Sequence, residues 1–156
     1  MDFRELFRRA AYAAADLDRC NAQLAAMREK LSSPASVAYD SIRVRSGSIA
    51  DRTAGIDSLI EKETRLRERK ARECESVLDA AWDAVGIVSA DLSDAMAQVL
   101  SQHYLFGDTW QQVADSIGRR SRSTPKEMAS IAFDWLDSYC EISEDEEGPH
   151  VHVIRD

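Results

Sequence analysis

Phe3, Leu6, Ala10, Ala13, Leu17, Cys20, Leu24, Met27 and Leu31 recur at alternating steps of three and four residues. That spacing puts all nine on one face of an α-helix for four heptads, which a strand with its two-residue period cannot do. Alanines, the strongest helix formers, fill much of the remainder. The pattern predicts a helix from about Asp2 to Leu31, ended by Ser32-Ser33-Pro34 because proline lacks an amide donor and clashes with the preceding turn. A second stripe, Ile56, Leu59, Glu63, Leu66, Lys70, Cys74, Val77, Ala81 and Ala84, predicts another long helix from Ser48 or Asp51 to Val85. The expected unit is a two-helix coiled-coil hairpin over residues 1–88, for oligomerisation or docking, with Leu17, Leu24, Leu59 and Leu66 as candidate protein-interface residues. Its two helices are joined by a long connection at 32–48, where Val37, Tyr39, Ile42 and Val44 suit extended structure. Connections this long are uncommon between packed helices and usually have a role.

With 156 residues, the chain has material for one compact domain or two small ones, and 44% hydrophobic residues supply a core. No run of about eighteen apolar residues occurs, so no membrane partner is expected. Met1-Asp2-Phe3-Arg4-Glu5 lacks the apolar core of a signal peptide. Cys20, Cys74 and Cys140 are too far apart for a metal pair and read as reduced and buried, which suits a cytoplasmic setting. No phosphate loop, nucleophile elbow or Cys/His arrangement appears. His103 reads as a packed histidine, and His150 and His152 lack further ligands. The expectation is a non-enzyme without metal or cofactor.

The stretch from Tyr104 to Leu136 carries the most local information. Gly107 breaks a helix running from Asp91 to Phe106, Thr109 is placed to cap the next, and Trp110, Val113, Ala114 and Ile117 share one face before Gly118. The chain restarts at Thr124-Pro125-Lys126-Glu127, where Thr124 can cap, Pro125 fits the first helical position and Glu127 completes a capping box. In the final helix Met128, Ile131, Trp135 and Tyr139 form the expected buried stripe. Phe133 lies off it, to pack under the tail or hairpin or to anchor a protein partner. Two short helices joined by a Gly-containing turn form the pattern of a helix-turn-helix, so residues 89–140 are read as one all-α domain. Residues 141–156 hold six carboxylates against one arginine and are expected to be a poorly ordered acidic tail.

The run Tyr104-Leu105, Gly107, Thr109-Trp110, Val113-Ala114, Ile117-Gly118, with Val99-Leu100 before it and Met128 and Ile131 after, resembles region 4 of bacterial sigma-70-type factors. Together with the N-terminal helix pair and Tyr39-Asp40-Ser41-Ile42-Arg43-Val44, it is similar to phage and prophage transcriptional regulators of the RinA and ArpU type. The resemblance implies double-stranded DNA as a partner, with RNA polymerase and a second copy of the chain as further ones. The turn here is longer than the family's, and Pro125 falls near where the family has an apolar residue. The implied DNA-binding residues are Thr109, Gln111, Gln112, Arg119, Arg120, Arg122, Ser123, Lys126, Glu127 and Ser130. The arginines would meet phosphates, while Lys126 and Ser130 would reach base edges. Arg122 suits guanine and Glu127 suits cytosine.

Against this stands the charge. The net is −8, and residues 89–140 hold seven carboxylates against four lysines and arginines, whereas DNA binders usually carry a basic footprint. Two alternatives therefore accompany the regulator reading. One is a protein-binding adaptor with a degenerate helix-turn-helix and a polymerase or host-protein partner. The other is a small terminase-like packaging subunit.

Overall fold

The computed structural model describes the backbone of residues 1–32 and 48–154, and side chains at 1–29 and 58–154. The expected extended connection at 32–48 lies, apart from its two ends, outside the described residues. The chain is mostly helical. It comprises α1 (Phe3–Ser32), α2 (Ser48–Asp91), α3 (Asp94–Leu100) with a π-helical turn at Ser101–Leu105, α4 (Trp110–Ser116), α5 (Ser123–Tyr139), and an antiparallel hairpin of β1 (Cys140–Asp145) and β2 (Gly148–Val153). No described helix is long and apolar enough to cross a membrane.

The chain divides into two compact units, one of residues 1–16 with 73–156 and one of residues 17–72. This differs from the expected division at residue 88. The first 16 residues do not belong to a separate hairpin domain but to the same unit as the C-terminal helices. The reason is aromatic and ionic. In the larger unit Phe7 is fully buried, and its ring meets Tyr104 at 5.7 Å and Phe133 at 5.4 Å, both edge to face. Asp137 accepts the Phe3 amide, and Arg4 reaches Asp134 at 2.8 Å. Around this cluster Leu6, Val88, Val99, Leu100, Val113 and Leu136 are buried.

Gly86 does not interrupt α2, because Val85 and Val88 on either side are buried and hold the helix through it to Asp91. The next helix therefore begins at Asp94 rather than Asp91. Ser93 adopts extended backbone there, and its hydroxyl accepts the Met96 amide at 3.4 Å.

The acidic tail is not disordered. Cys140 pairs with Val153 and Asp145 with Gly148, leaving a two-residue loop at Glu146 and Glu147. The Asp145 carboxylate accepts the amides of Glu147 at 2.8 Å and Gly148 at 3.2 Å, the turn chemistry at which aspartate excels. Those amides and His150 hold the Asp145 carboxyl below its ordinary range. The hairpin is tied back by Ser76, whose hydroxyl donates to the Glu147 carbonyl at 2.6 Å, and by an Arg9–Glu144 ion pair at 3.3 Å.

In the smaller unit the inward positions of α2 are Ile60, Thr64, Arg67 and Ala71. This heptad is shifted by one residue from the expected one before Cys74. Thr64 is accommodated because its hydroxyl donates to the Ile60 carbonyl at 2.8 Å. Arg67 pairs with Gln23, and Arg28 with Glu68 at 3.8 Å. Glu63 and Lys70, the two charged members of the expected stripe, are accordingly exposed. It also places Leu59 and Leu66 outside the packing, at 63% and 60% exposure. Leu24 is buried within the chain and Leu17 half-buried, so of the four proposed interface leucines only the α2 pair presents a free surface.

Candidate nucleic-acid interface

The turn between α4 and α5 is built by backbone geometry. Thr109 caps α4 in a full capping box with Gln112: the Gln112 amide donates to the Thr109 hydroxyl, and the Thr109 amide to the Gln112 side chain. At the other end Arg119 donates its amide to the Ala114 carbonyl at 2.8 Å and Gly118 donates to Asp115 at 3.2 Å. This pair of bonds is a Schellman closure, and it needs a left-handed residue at Gly118, whose φ is +73°. Arg119 thus leaves a fixed turn. Arg119, Arg120 and Arg122 are exposed, and none makes an ion pair among the described residues. Arg4, Arg8, Arg9, Arg28 and Arg67, by contrast, each meet a carboxylate.

The expected capping box at Thr124 does not form. α5 begins two residues earlier, at Ser123, and Arg122 provides no side-chain cap. Ser121 does the work instead, its hydroxyl accepting the Ser123 amide at 3.3 Å. Pro125 consequently lies inside the first turn, where amides have no intrahelical partner and its missing donor costs nothing. The turn is shorter than expected for that reason.

The buried face of α5 also differs. Pro125, Ala129, Ala132, Phe133 and Leu136 point inward. Ile131 and Tyr139, expected in the core, are 52% and 53% exposed, and Trp135 lies against Tyr139. Small Ala129 and Ala132 let α3 approach closely, and the bulk of Phe133, Val99 and Leu100 fills the space. Phe133, at 3% exposure, is a core residue packed on α1 rather than an exposed anchor for another protein.

The structure brings most of the proposed DNA contacts to one end of α5. Arg119, Arg120, Arg122, Ser123, Lys126, Glu127 and Ser130 are exposed there, with Thr109, Gln111 and Gln112 exposed at the start of α4. Several of them are partly occupied, Ser123 by the Ser121 hydroxyl at 2.6 Å. Thr109 and Gln112 are spent on each other, and Gln111 donates to Asp115 at 3.0 Å. Ser130 accepts Arg4 at 3.4 Å. Arg4 and Arg8, from α1, also lie beside this end. No local pattern at residues 4–8 signals it, since their position follows from the burial of Phe7.

Between α1 and α5 lies a cleft of about 260 Å³ lined by Arg4, Arg8, Tyr104, Trp110, Lys126 and Ser130, with Phe133 beneath. Burial pushes the Tyr104 hydroxyl pKa up, with Arg4 and Arg8 pulling it the other way. Behind the wall, His103 stacks on Trp110 at 3.6 Å, and its Nδ1–H donates to the Asp108 carbonyl at 2.8 Å. Burial lowers the His103 pKa; the Asp108 carbonyl opposes this and Lys126 adds to it. The neutral ring is therefore the form the fold prefers. Its contribution is complete above the ordinary value of about 6.5 and is lost as pH falls from there through the depressed one. An NMR titration should give a His103 midpoint below about 6.5, moving upward in Lys126→Ala. A midpoint at or above the ordinary value would contradict this packing.

No protein-family model matches the chain, and no curated protein or solved structure matches it.

Proposed function

We propose that the chain is a phage- or prophage-type transcriptional regulator that binds double-stranded DNA through α4, its turn and α5, acting as a sigma-region-4-like helix-turn-helix. One observation carries this reading: three arginines project from a turn closed by backbone bonds, exposed and without an ion pair among the described residues, in a protein whose overall charge is −8. Cations kept off neighbouring carboxylates are available to a polyanion. Phosphates met by the turn would set the position of α5, and the first turn of α5, with Lys126 and Glu127, would face the bases.

The test is DNA affinity against salt. Each phosphate contact contributes about 0.9 to the slope of log K against log salt. Replacing Arg119, Arg120 and Arg122 together by Ala should flatten the slope by roughly 2 to 3 and weaken binding to every sequence at least on the order of tenfold. Equal slopes for parent and variant would end this reading.

The helix pair α1–α2 serves in this proposal as a coiled-coil oligomerisation element. Leu59 and Leu66, seven residues apart and outside the internal packing, are the surface a second copy would cover. Sedimentation should show a dimer that Leu59→Glu with Leu66→Glu converts to monomer. A parent that sediments as a monomer at tens of micromolar would remove the dimer.

A second reading rests on α5 itself. Ile131 and Tyr139, with Trp135 beside Tyr139, make an exposed apolar stripe that suits a protein partner such as RNA polymerase. This is the adaptor alternative, and it gains if the parent fails to bind DNA at low salt.

A further inference from the structure

We infer that the cleft between α1 and α5 is a seat for a backbone phosphodiester of the bound duplex, held by Arg8 and Lys126. The inference rests on the DNA-binding reading and extends its surface to a helix that does not belong to the α4–α5 unit.

The charges of the cleft sort into spent and available. Arg4 is spent: it pairs with Asp134 at 2.8 Å and Asp137 at 3.5 Å, donates to Ser130 and lies over the Phe133 ring at 5.5 Å. Its role is to fix α1 along α5. Among the described residues Arg8 has Glu5 as its one ion-pair partner, one turn back on its own helix at 2.7 Å, and its side chain is 63% exposed. Exposed pairs of this kind contribute a fraction of a kcal/mol and exchange readily for a phosphate. Lys126 is exposed and has no ion-pair partner among the described residues. Thus two cations from different helices line one concavity whose floor is Tyr104, Trp110 and Phe133.

The aromatic floor decides how strongly they act. The ring faces keep water from one side of the site only, so an anion between the exposed Arg8 and Lys126 gains modestly over a fully open surface. The Tyr104 hydroxyl has no hydrogen-bond partner among the described residues and is a donor available to a phosphate oxygen. The occupant is set by continuity. Lys126 lies one helical turn from Arg122, so a strand whose phosphates meet the arginine turn runs on toward the cleft. Asp2, Asp134 and Asp137 act on Arg4 and Glu5 pairs with Arg8, and this negative charge beside the cleft cations argues against a free dianion held by the cleft alone.

The test compares four proteins on one short duplex across salt: the parent, the turn triple Ala variant, Arg8→Ala with Lys126→Ala, and Glu5→Gln. Arg8 and Lys126 are exposed, so thermal melting should match the parent. The double variant should weaken binding on the order of tenfold and flatten the salt slope by roughly 1 to 2. Glu5→Gln should tighten binding, because Arg8 no longer has a competing carboxylate. If the turn variant loses binding while the double variant keeps the parent's slope, the cleft is no phosphate seat and the DNA reading stands. If the parent shows no salt-dependent binding, both fall. Inorganic phosphate, titrated against the Trp110 indole resonance at constant ionic strength, separates the sources. Saturation without DNA would reassign the cleft to a free anion and overturn the inference.

Discussion

Phe7→Ala will destabilise the larger unit by about 3–5 kcal/mol, the range for removing a buried aromatic ring. Phe7 has no exposed surface and touches two other rings in edge-to-face geometry, contacts that add to its burial. The residue lies near the N-terminus, yet the loss should appear in the C-terminal helices. Denaturant unfolding followed at the backbone amides of residues 94–140 should show a lowered midpoint with an unchanged slope. The alternative architecture, a self-contained hairpin over residues 1–88, predicts that these amides ignore the substitution. A change below about 1 kcal/mol there would show that α1 does not complete the core. Phe7→Leu separates volume from ring chemistry and should cost less than half as much.

The same contact shows where the sequence could be read and where it could not. Helix existence was legible, because heptad spacing in α1 and the cap at Thr109 are local properties written in a few residues. Which helix packs on which was not. Phe7 falls next to Leu6 and outside the three-four stripe, and nothing near it names Tyr104 or Phe133 as partners. On α5 hydrophobicity pointed to Ile131 and Tyr139, but packing chose Ala129 and Ala132 because small side chains permit close approach. On α2 hydrophobicity pointed to the register with Leu59 and Leu66, but the positions turned inward are Ile60, Thr64, Arg67 and Ala71. The hairpin was legible in principle: Asp145 and Gly148 flank two residues with turn chemistry, and Ile142 and Val151 alternate with polar neighbours. Its run of carboxylates masked that signal. Of the candidate interface, the exposed arginine turn was visible in sequence, whereas Arg8 belongs to it only through the fold.

Gly148→Ala should be nearly as damaging as the loss of Phe7, for a different physical reason. Gly148 has φ of +123°, a region that side chains with a Cβ rarely enter. Strain of that kind costs about 1–3 kcal/mol. Space is lacking as well: an added Cβ would lie 1.8 Å from the Ser76 hydroxyl and 2.9 Å from its Cβ. Ser76 cannot simply rotate away, because that hydroxyl holds the Glu147 carbonyl, a bond worth about 0.5–1.5 kcal/mol. The variant must therefore lift the hairpin off α2 or break this tie, and the combined loss should be about 2–4 kcal/mol. Ser76→Ala alone removes only the hydrogen bond and should cost about 1 kcal/mol. Combined with Gly148→Ala it removes the nearest obstacle, so the double variant should be more stable than the two single losses added together. That coupling is the informative quantity, since strain at Gly148 alone would leave the two substitutions additive. Hydrogen exchange should show the hairpin amides from Cys140 to Val153 losing protection first. A stability within about 0.5 kcal/mol of the parent would mean that the turn does not press on α2, and that the acidic segment is held by Arg9 and its own strand pairing instead.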